Sequence, residues 1–227
     1  MLLHVKNILS PAILRLIKEK LESDCWADGK ITAGEQSSKA KNNLQITHES
    51  SVGKELGEII LRILGEHPTF NSAVLPLRVF PPLFNRYDAG MHFHAHVDNA
   101  IRKIPGVNFR IRTDVSCTIF LNNPDDYVGG ELIIQDTYGE HSVKLPAGDM
   151  IIYPSTSLHS VLPVTQGSRW ASFFWCQSMI KDDTKRTILY EFDRSIMETR
   201  KLLSDDHKAV LGLTSTYHNL MRQWCEI

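Results

Sequence analysis

The chain has 227 residues and a mass of 25.8 kDa, enough for one large domain or for one domain with a modest appendage. Its 25 Lys and Arg stand against 26 Asp and Glu, and no basic run is interleaved with aromatics, which argues against a nucleic-acid partner. No segment approaches the ~18 apolar residues of a membrane span, and "MLLHVKNILSPAILRLIKEK" has neither an unbroken apolar run nor a small-residue cleavage site, so a soluble, cytoplasmic protein is expected.

Ser10-Pro11 reads as a helix start, the serine capping and the proline in the first turn, followed by Ile13, Leu14, Ile17 and Leu21 at helical spacing. After a polar stretch, 27–50, a second helix presents Leu56, Ile59, Ile60, Ile63 and Leu64 and is expected to end at Pro68. From about 74 to 179 the pattern changes to short strands between turn residues: "LRVF", "TDVSCTIFL", "GGELIIQ", "HSVKLP", "DMIIYP" and "RWASFFWCQS". This predicts a mainly β protein with flanking helices, its antiparallel strands closed or sandwiched as in a jelly roll. Beyond Lys181 a helical stripe returns at Ile188, Leu189, Phe192 and Ile196, with a shorter one at Tyr217, Leu220 and Trp224. We therefore divide the chain into a domain over 1–180 and a helical subdomain over 181–227 that packs on it or makes a homodimer contact. Cys25, Cys117, Cys176 and Cys225 form no Cys-x-x-Cys pair and read as buried, reduced thiols.

The stretch "RYDAGMHFHAHVDNA", 86–100, spaces His92, His94, His96 and Asp98 at every second position. In an extended segment they share one face, which a solvated polar strand explains nearly as well as a metal site. His96-Val97-Asp98 is more specific, since an imidazole and a carboxylate two apart can take adjacent corners of one coordination sphere. A third ligand must come from a distant strand, as in the 2-His-1-carboxylate triad of non-haem Fe(II) oxygenases. His141 follows a Tyr-Gly turn and reads as a solvent-facing hairpin position. His159 precedes Arg169 by ten residues, and a reversal at "PVTQG" sets the two opposite each other, their Cβ atoms roughly 5 Å apart. Arginine beside a metal ligand implies an anion between them, and a dicarboxylate suits its fork.

With "GGEL", "PAGDMIIYPSTSLHSVLPVTQGSRWASFFW" and "ILSPAILRLIKEKL" added, the chain resembles the Fe(II)/2-oxoglutarate-dependent dioxygenases, specifically the PKHD-type hydroxylases related to the prolyl 4-hydroxylase catalytic domain. The resemblance implies a double-stranded β-helix, the jelly roll, with His96, Asp98 and His159 as catalytic iron ligands and Arg169 on the C5 carboxylate of 2-oxoglutarate. It implies dioxygen as co-reactant, L-ascorbate as reductant, hydroxylation of an unidentified substrate, and for some members a link to bacterial iron uptake. It also places Tyr87 near the cosubstrate, against the alternative of a core aromatic with a satisfied hydroxyl. Ser172 alternates away from Arg169, and the glycines of "GGEL" read as architecture. The loop 99–112, with Arg102, Lys103, Arg110 and Arg112, is a candidate lid suited to an acidic or polar substrate. A zinc hydrolase would need a general base, and His-Glu-x-x-His is absent. The alternative that stays open is a non-catalytic metal- or sugar-binding jelly-roll module.

Overall fold

The computed structural model describes residues 1–24, 26–32, 40–104 and 106–227, so Cys25 lies outside the described residues. Helix α1 (Pro11–Glu22) starts as its sequence dictates: the Ser10 hydroxyl accepts from the Ile13 amide, and Pro11 sits where no donor is lost. Ile17 and Leu21, one turn apart, are fully buried. α2 (Ser51–Glu66) buries Leu56, Ile60 and Leu64 in the same way, with Ile59 and Ile63 packed beside them. Pro68 does more than stop this helix: α2 ends at Glu66, and Pro68 opens a short further helix, α3 (Pro68–Val74). A proline lacks the amide that a first turn does not need, so the same residue serves as stop and start.

The larger sheet runs β1 (Leu3–Val5), β14 (Met150–Pro154), β10 (Val115–Phe120), β16 (Val164–Ser178), β6 (Leu83–Asp88), β4 (Leu44–Ile46) and β2 (Trp26–Asp28). Strands β5 (Pro76–Val79) and β11 (Tyr127–Gly129) also pair with β16. The smaller sheet runs β13 (Gly139–Val143), β12 (Leu132–Asp136), β15 (Leu158–Val161), β7 (His92–His96) and β3 (Lys41–Asn42). All these pairings are antiparallel, and the two sheets form a double-stranded β-helix, the jelly roll expected from the strand pattern.

Alternation along the central strands separates two cores. Val115, Cys117 and Ile119 of β10, Met150 and Ile152 of β14, and Phe174 and Cys176 of β16 pack with α1 and α2. The opposite faces look toward the smaller sheet, where Phe120, Ile151, Tyr153, Leu132, Ile134 and Val161 close a second cluster. Every residue of β10 is buried because both its faces are covered.

Two expectations are corrected. β15 and β16 do not pair across "PVTQG": after Val161 the chain crosses between sheets, and Val164, Gln166 and Gly167 already belong to β16, paired with β11. The segment 99–112 is not a plain loop but holds a hairpin of β8 (Ile101–Lys103) and β9 (Arg110–Arg112), whose Ile111 packs with Phe80, Leu83 and Trp175.

The C-terminal helices α4 (Asp183–Leu202) and α5 (Lys208–Trp224) pack on the body through Leu75, Ile180 and Leu189, with Tyr217, Leu220 and Trp224 against them. Arg186 is buried at this junction and donates to the Ile180 carbonyl at 2.8 Å. Of the expected stripe, Leu189 and Ile196 are buried, but Ile188 points outward at 46% exposure. Cys117 and Cys176 are buried and free, as read from the sequence, and Cys225 is free and partly buried.

Candidate active site

Strand β7 does not alternate simply. His96 pairs with His159 of β15, whereas Phe93 pairs with Val161, so three steps on β7 match two on β15. The extra residue is a β-bulge, which shifts the facing of every side chain beyond it. As a result Phe93 and His96 line the same cavity with their rings stacked at 3.6 Å, while His92 and His94 do not line it. The four-residue polar face expected from strict alternation is thus broken: His96 and Asp98 turn inward without the other two histidines.

His96, Asp98 and His159 present one ligand atom each, all within 4.8 Å of one another. His159 is 6% exposed, and its Nε2 lies 3.8 Å from Asp98 Oδ2. Each histidine's Nδ1 lies against the carbonyl two residues back, His96 on His94 at 2.8 Å and His159 on Ser157 at 3.0 Å. A carbonyl only accepts, so Nδ1 carries the proton and Nε2 keeps its lone pair for a metal. Burial first, and then the neighbouring His159, push the His96 imidazole well below its usual range, so it is neutral near pH 7. Asp98 Oδ2 accepts from the Ser116 hydroxyl at 2.7 Å, and Ser116 in turn meets Ser155 at 2.7 Å. Ser116 is one of the β10 residues, with Thr118 and Phe120, that alternation points away from the helices.

Arg169 belongs to the larger sheet, with Tyr87 of β6, not His159, as its cross-strand partner. It therefore faces the smaller sheet across the sandwich and joins Tyr87, Phe93 and the three ligands in lining one cavity. It is 1% exposed, makes no salt bridge among the described residues, and its Nε has no hydrogen-bond partner. Its guanidinium carbon sits 5.4 Å from the Tyr87 ring and 5.2 Å from that of Phe120. Tyr87 is both core and cavity wall; burial raises its hydroxyl to about 12 despite the Arg169 charge. The "GGEL" glycines are architectural, as expected. Both have left-handed φ, and a Cβ on Gly130 would come within 3.2 Å of the Arg169 stem. Ser172 is buried outside the cavity lining, and His141 pairs with Asp136 at 2.8 Å on the outer hairpin.

The space at the cavity, open solvent at its mouth included, is about 750 Å³. Its residues fit a non-haem iron and a dicarboxylate: two imidazoles and a carboxylate on one side leave positions open, and a buried cation with an orphaned donor stands apart from them. Lys41, Asn85, Phe173 and Trp175 also line it and were not expected from the sequence. Lys41 lies in a two-residue strand within a polar stretch, where no periodicity marks it. Phe173 and Trp175 were legible as β16 residues on the Arg169 face, every second position from 169.

The 2OG-Fe(II) oxygenase superfamily model matches residues 82–177, and the PKHD-type hydroxylase C-terminal domain model matches residues 183–226. Fold and site thus define an oxygenase that uses iron, 2-oxoglutarate and dioxygen. The chain is 70% identical to a PKHD-type hydroxylase of Gluconobacter oxydans (strain 621H) and 59% identical to one of Methylobacterium nodulans, each over 100% of both chains. It belongs to the PKHD-type hydroxylase family. A prolyl-4-hydroxylase of Pseudomonas putida shares the fold at a TM-score of 0.56 and 19% identity, over 78% of this chain and 92% of the other. HygX of Streptomyces hygroscopicus, solved with nickel, 2-oxoglutarate and hygromycin B, shares it at 0.53 and 12%, over 78% and 82%. Among the described residues no helix is long and apolar enough to cross a membrane.

Proposed function

We propose that His96, Asp98 and His159 hold the catalytic Fe(II), and that Arg169 grips the C5 carboxylate of 2-oxoglutarate with Tyr87 against it. The observation that carries this reading is the pairing of a three-ligand cluster with a buried arginine lacking a salt bridge among the described residues, in one cavity. Bound together, iron and 2-oxoglutarate supply the activation of dioxygen, one oxygen atom entering succinate as carbon dioxide leaves and the other hydroxylating a substrate C–H bond. The chain supplies placement. The carbonyls of His94 and Ser157 fix the tautomers of the two histidines, and Ser116 holds the Asp98 carboxylate. Arg169 meets the far carboxylate as a rigid fork, and the surrounding aromatics keep water out.

In this reading L-ascorbate is the reductant, the protein works in the cytoplasm, and the substrate belongs to bacterial iron uptake, a link drawn from family resemblance. Residues 181–227 form a helical subdomain, and the exposed Ile188, Met197, Leu202 and Leu211 suit it to a homodimer contact. The test is aerobic turnover by metal-free protein resupplied with Fe(II), ascorbate and 2-oxoglutarate. Iron-dependent succinate and carbon dioxide, absent in His159→Ala, are expected. Folded, iron-loaded protein that forms no succinate with any substrate offered would favour the binding-module alternative.

A further inference from the structure

Strand β16 turns Arg169, Ala171, Phe173 and Trp175 toward the cavity, and the register of the larger sheet fixes what stands beside each. Arg169 has Tyr87 of β6 as its cross-strand partner. In the next row Ala171 is flanked by Phe120 of β10 on one side and by Asn85 of β6 on the other. The Arg169 guanidinium carbon lies 5.4 Å from the Tyr87 ring and 5.2 Å from that of Phe120, so it touches both its own row and the next. It therefore overhangs Ala171, whose methyl group leaves room above it. Paired strands are about 5 Å apart and alternate residues of a strand about 7 Å, which puts the Asn85 side chain beside the fork.

Asn85 is 8% exposed and lines the cavity, yet its Oδ1 is buried without a hydrogen-bond partner. Buried amides are normally paired, because an unmade bond is costly. The Nε of Arg169 is orphaned in the same way. The two groups stand in adjacent rows of one wall, open to one cavity, and are not bonded to each other. A single ligand that meets both accounts for both.

The two groups also define that ligand. Arg169 only donates, so its partner is an acceptor, and an anionic one. A carboxamide exchanges its oxygen and nitrogen ends by a half-turn, and with Oδ1 unheld Asn85 can present its NH2 group to the same acceptor. A carboxylate has lone pairs enough for a bidentate fork and a further amide donor. Position separates cosubstrate from substrate. Ser116, which holds Asp98, lies in the row of Trp175, about 13 Å along β16 from the row of Asn85. Asn85 thus belongs to the Arg169 end of the cavity, away from the iron ligands.

We infer that Asn85 is a binding residue for 2-oxoglutarate, its amide donating to the C5 carboxylate beside Arg169, and that it helps the site select a dicarboxylate over a monocarboxylate ketoacid. This inference rests on the function proposed above and deepens it.

The experiment titrates full-length, anaerobic, Fe(II)-loaded protein with 2-oxoglutarate and, separately, with 2-oxobutyrate, which keeps the ketoacid and lacks the far carboxylate. The visible band gives half-saturation for each. Asn85→Ala should need roughly tenfold more 2-oxoglutarate, the loss of one hydrogen bond to a charged group. Asn85→Asp should need roughly thirtyfold more, since a carboxylate there repels the ligand and competes for Arg169. Half-saturation by 2-oxobutyrate should stay within about threefold of the parent in both variants, a selectivity that general damage would not produce. Because the orphaned Oδ1 has no partner to lose, ligand-free Asn85→Ala should keep the parent's circular dichroism and thermal midpoint. An unchanged 2-oxoglutarate requirement in Asn85→Ala would overturn the inference, as would an equal loss for both ketoacids. If Asn85→Asp does not fold, Asn85→Ala decides alone. A parent protein without a band would fail the function proposed above and take this contact with it, whereas a normal parent band with unaffected variants fails the contact only.

Discussion

Strands β10, β14 and β16 have two faces with opposite duties. Toward α1 and α2 they present Val115, Cys117, Ile119, Met150, Ile152, Phe174 and Cys176, all buried in apolar contact. Toward the cavity they present Ser116, Thr118, Tyr153 and Arg169, side chains with polar atoms that need partners. The first face is completed by the protein's own helices; on the second, Arg169 remains without a salt bridge among the described residues. Stability and chemistry are thus separated by the period-2 alternation of the same strands, and damage to each face should register in a different measurement.

His159→Ala should give the largest effect: loss of detectable iron-dependent succinate formation, with circular dichroism and thermal midpoint near those of the parent. A variant that unfolds instead would show that the cavity face also carries the fold. Arg169→Gln should weaken 2-oxoglutarate roughly 30-fold or more, because a buried charged partner is lost at about 2–5 kcal/mol. Arg169→Lys, with a point charge and no fork, should recover only part of this in a cosubstrate titration. On the other face, Ile60→Ala should lower unfolding free energy by about 2–5 kcal/mol in chemical denaturation and leave 2-oxoglutarate affinity unchanged while the protein is folded. Ser116→Ala removes the hydroxyl holding Asp98 and should reduce Fe(II) affinity by about tenfold, seen by competition with a chelator.

The residues of the site were legible in the sequence because His-x-Asp, a distal histidine and a following arginine are a rare combination. Their arrangement was less so. A local hairpin is the simplest way to bring His159 and Arg169 together, but the jelly roll crosses between sheets after Val161 and reaches the same cavity from opposite walls. The bulge in β7 has no composition signal, so strict alternation put His92 and His94 with His96. Strands β2, β3 and β4 hold two or three residues each and are too short to show a period, which is why Lys41 passed unnoticed. The long helices and most of the central strands, with repeated apolar positions, were readable, except that β16 begins at Val164, inside the segment read as a turn, and Ile188 faces outward.

The central claim is that one cavity chelates iron through His96, Asp98 and His159 and holds 2-oxoglutarate by Arg169. Anaerobic addition of Fe(II) and then 2-oxoglutarate to metal-free protein tests it most directly, by the weak visible charge-transfer band of an iron-bound ketoacid. The account predicts a band that needs both components, vanishes in His159→Ala and requires much more 2-oxoglutarate in Arg169→Gln. No band from folded, iron-loaded protein would contradict it.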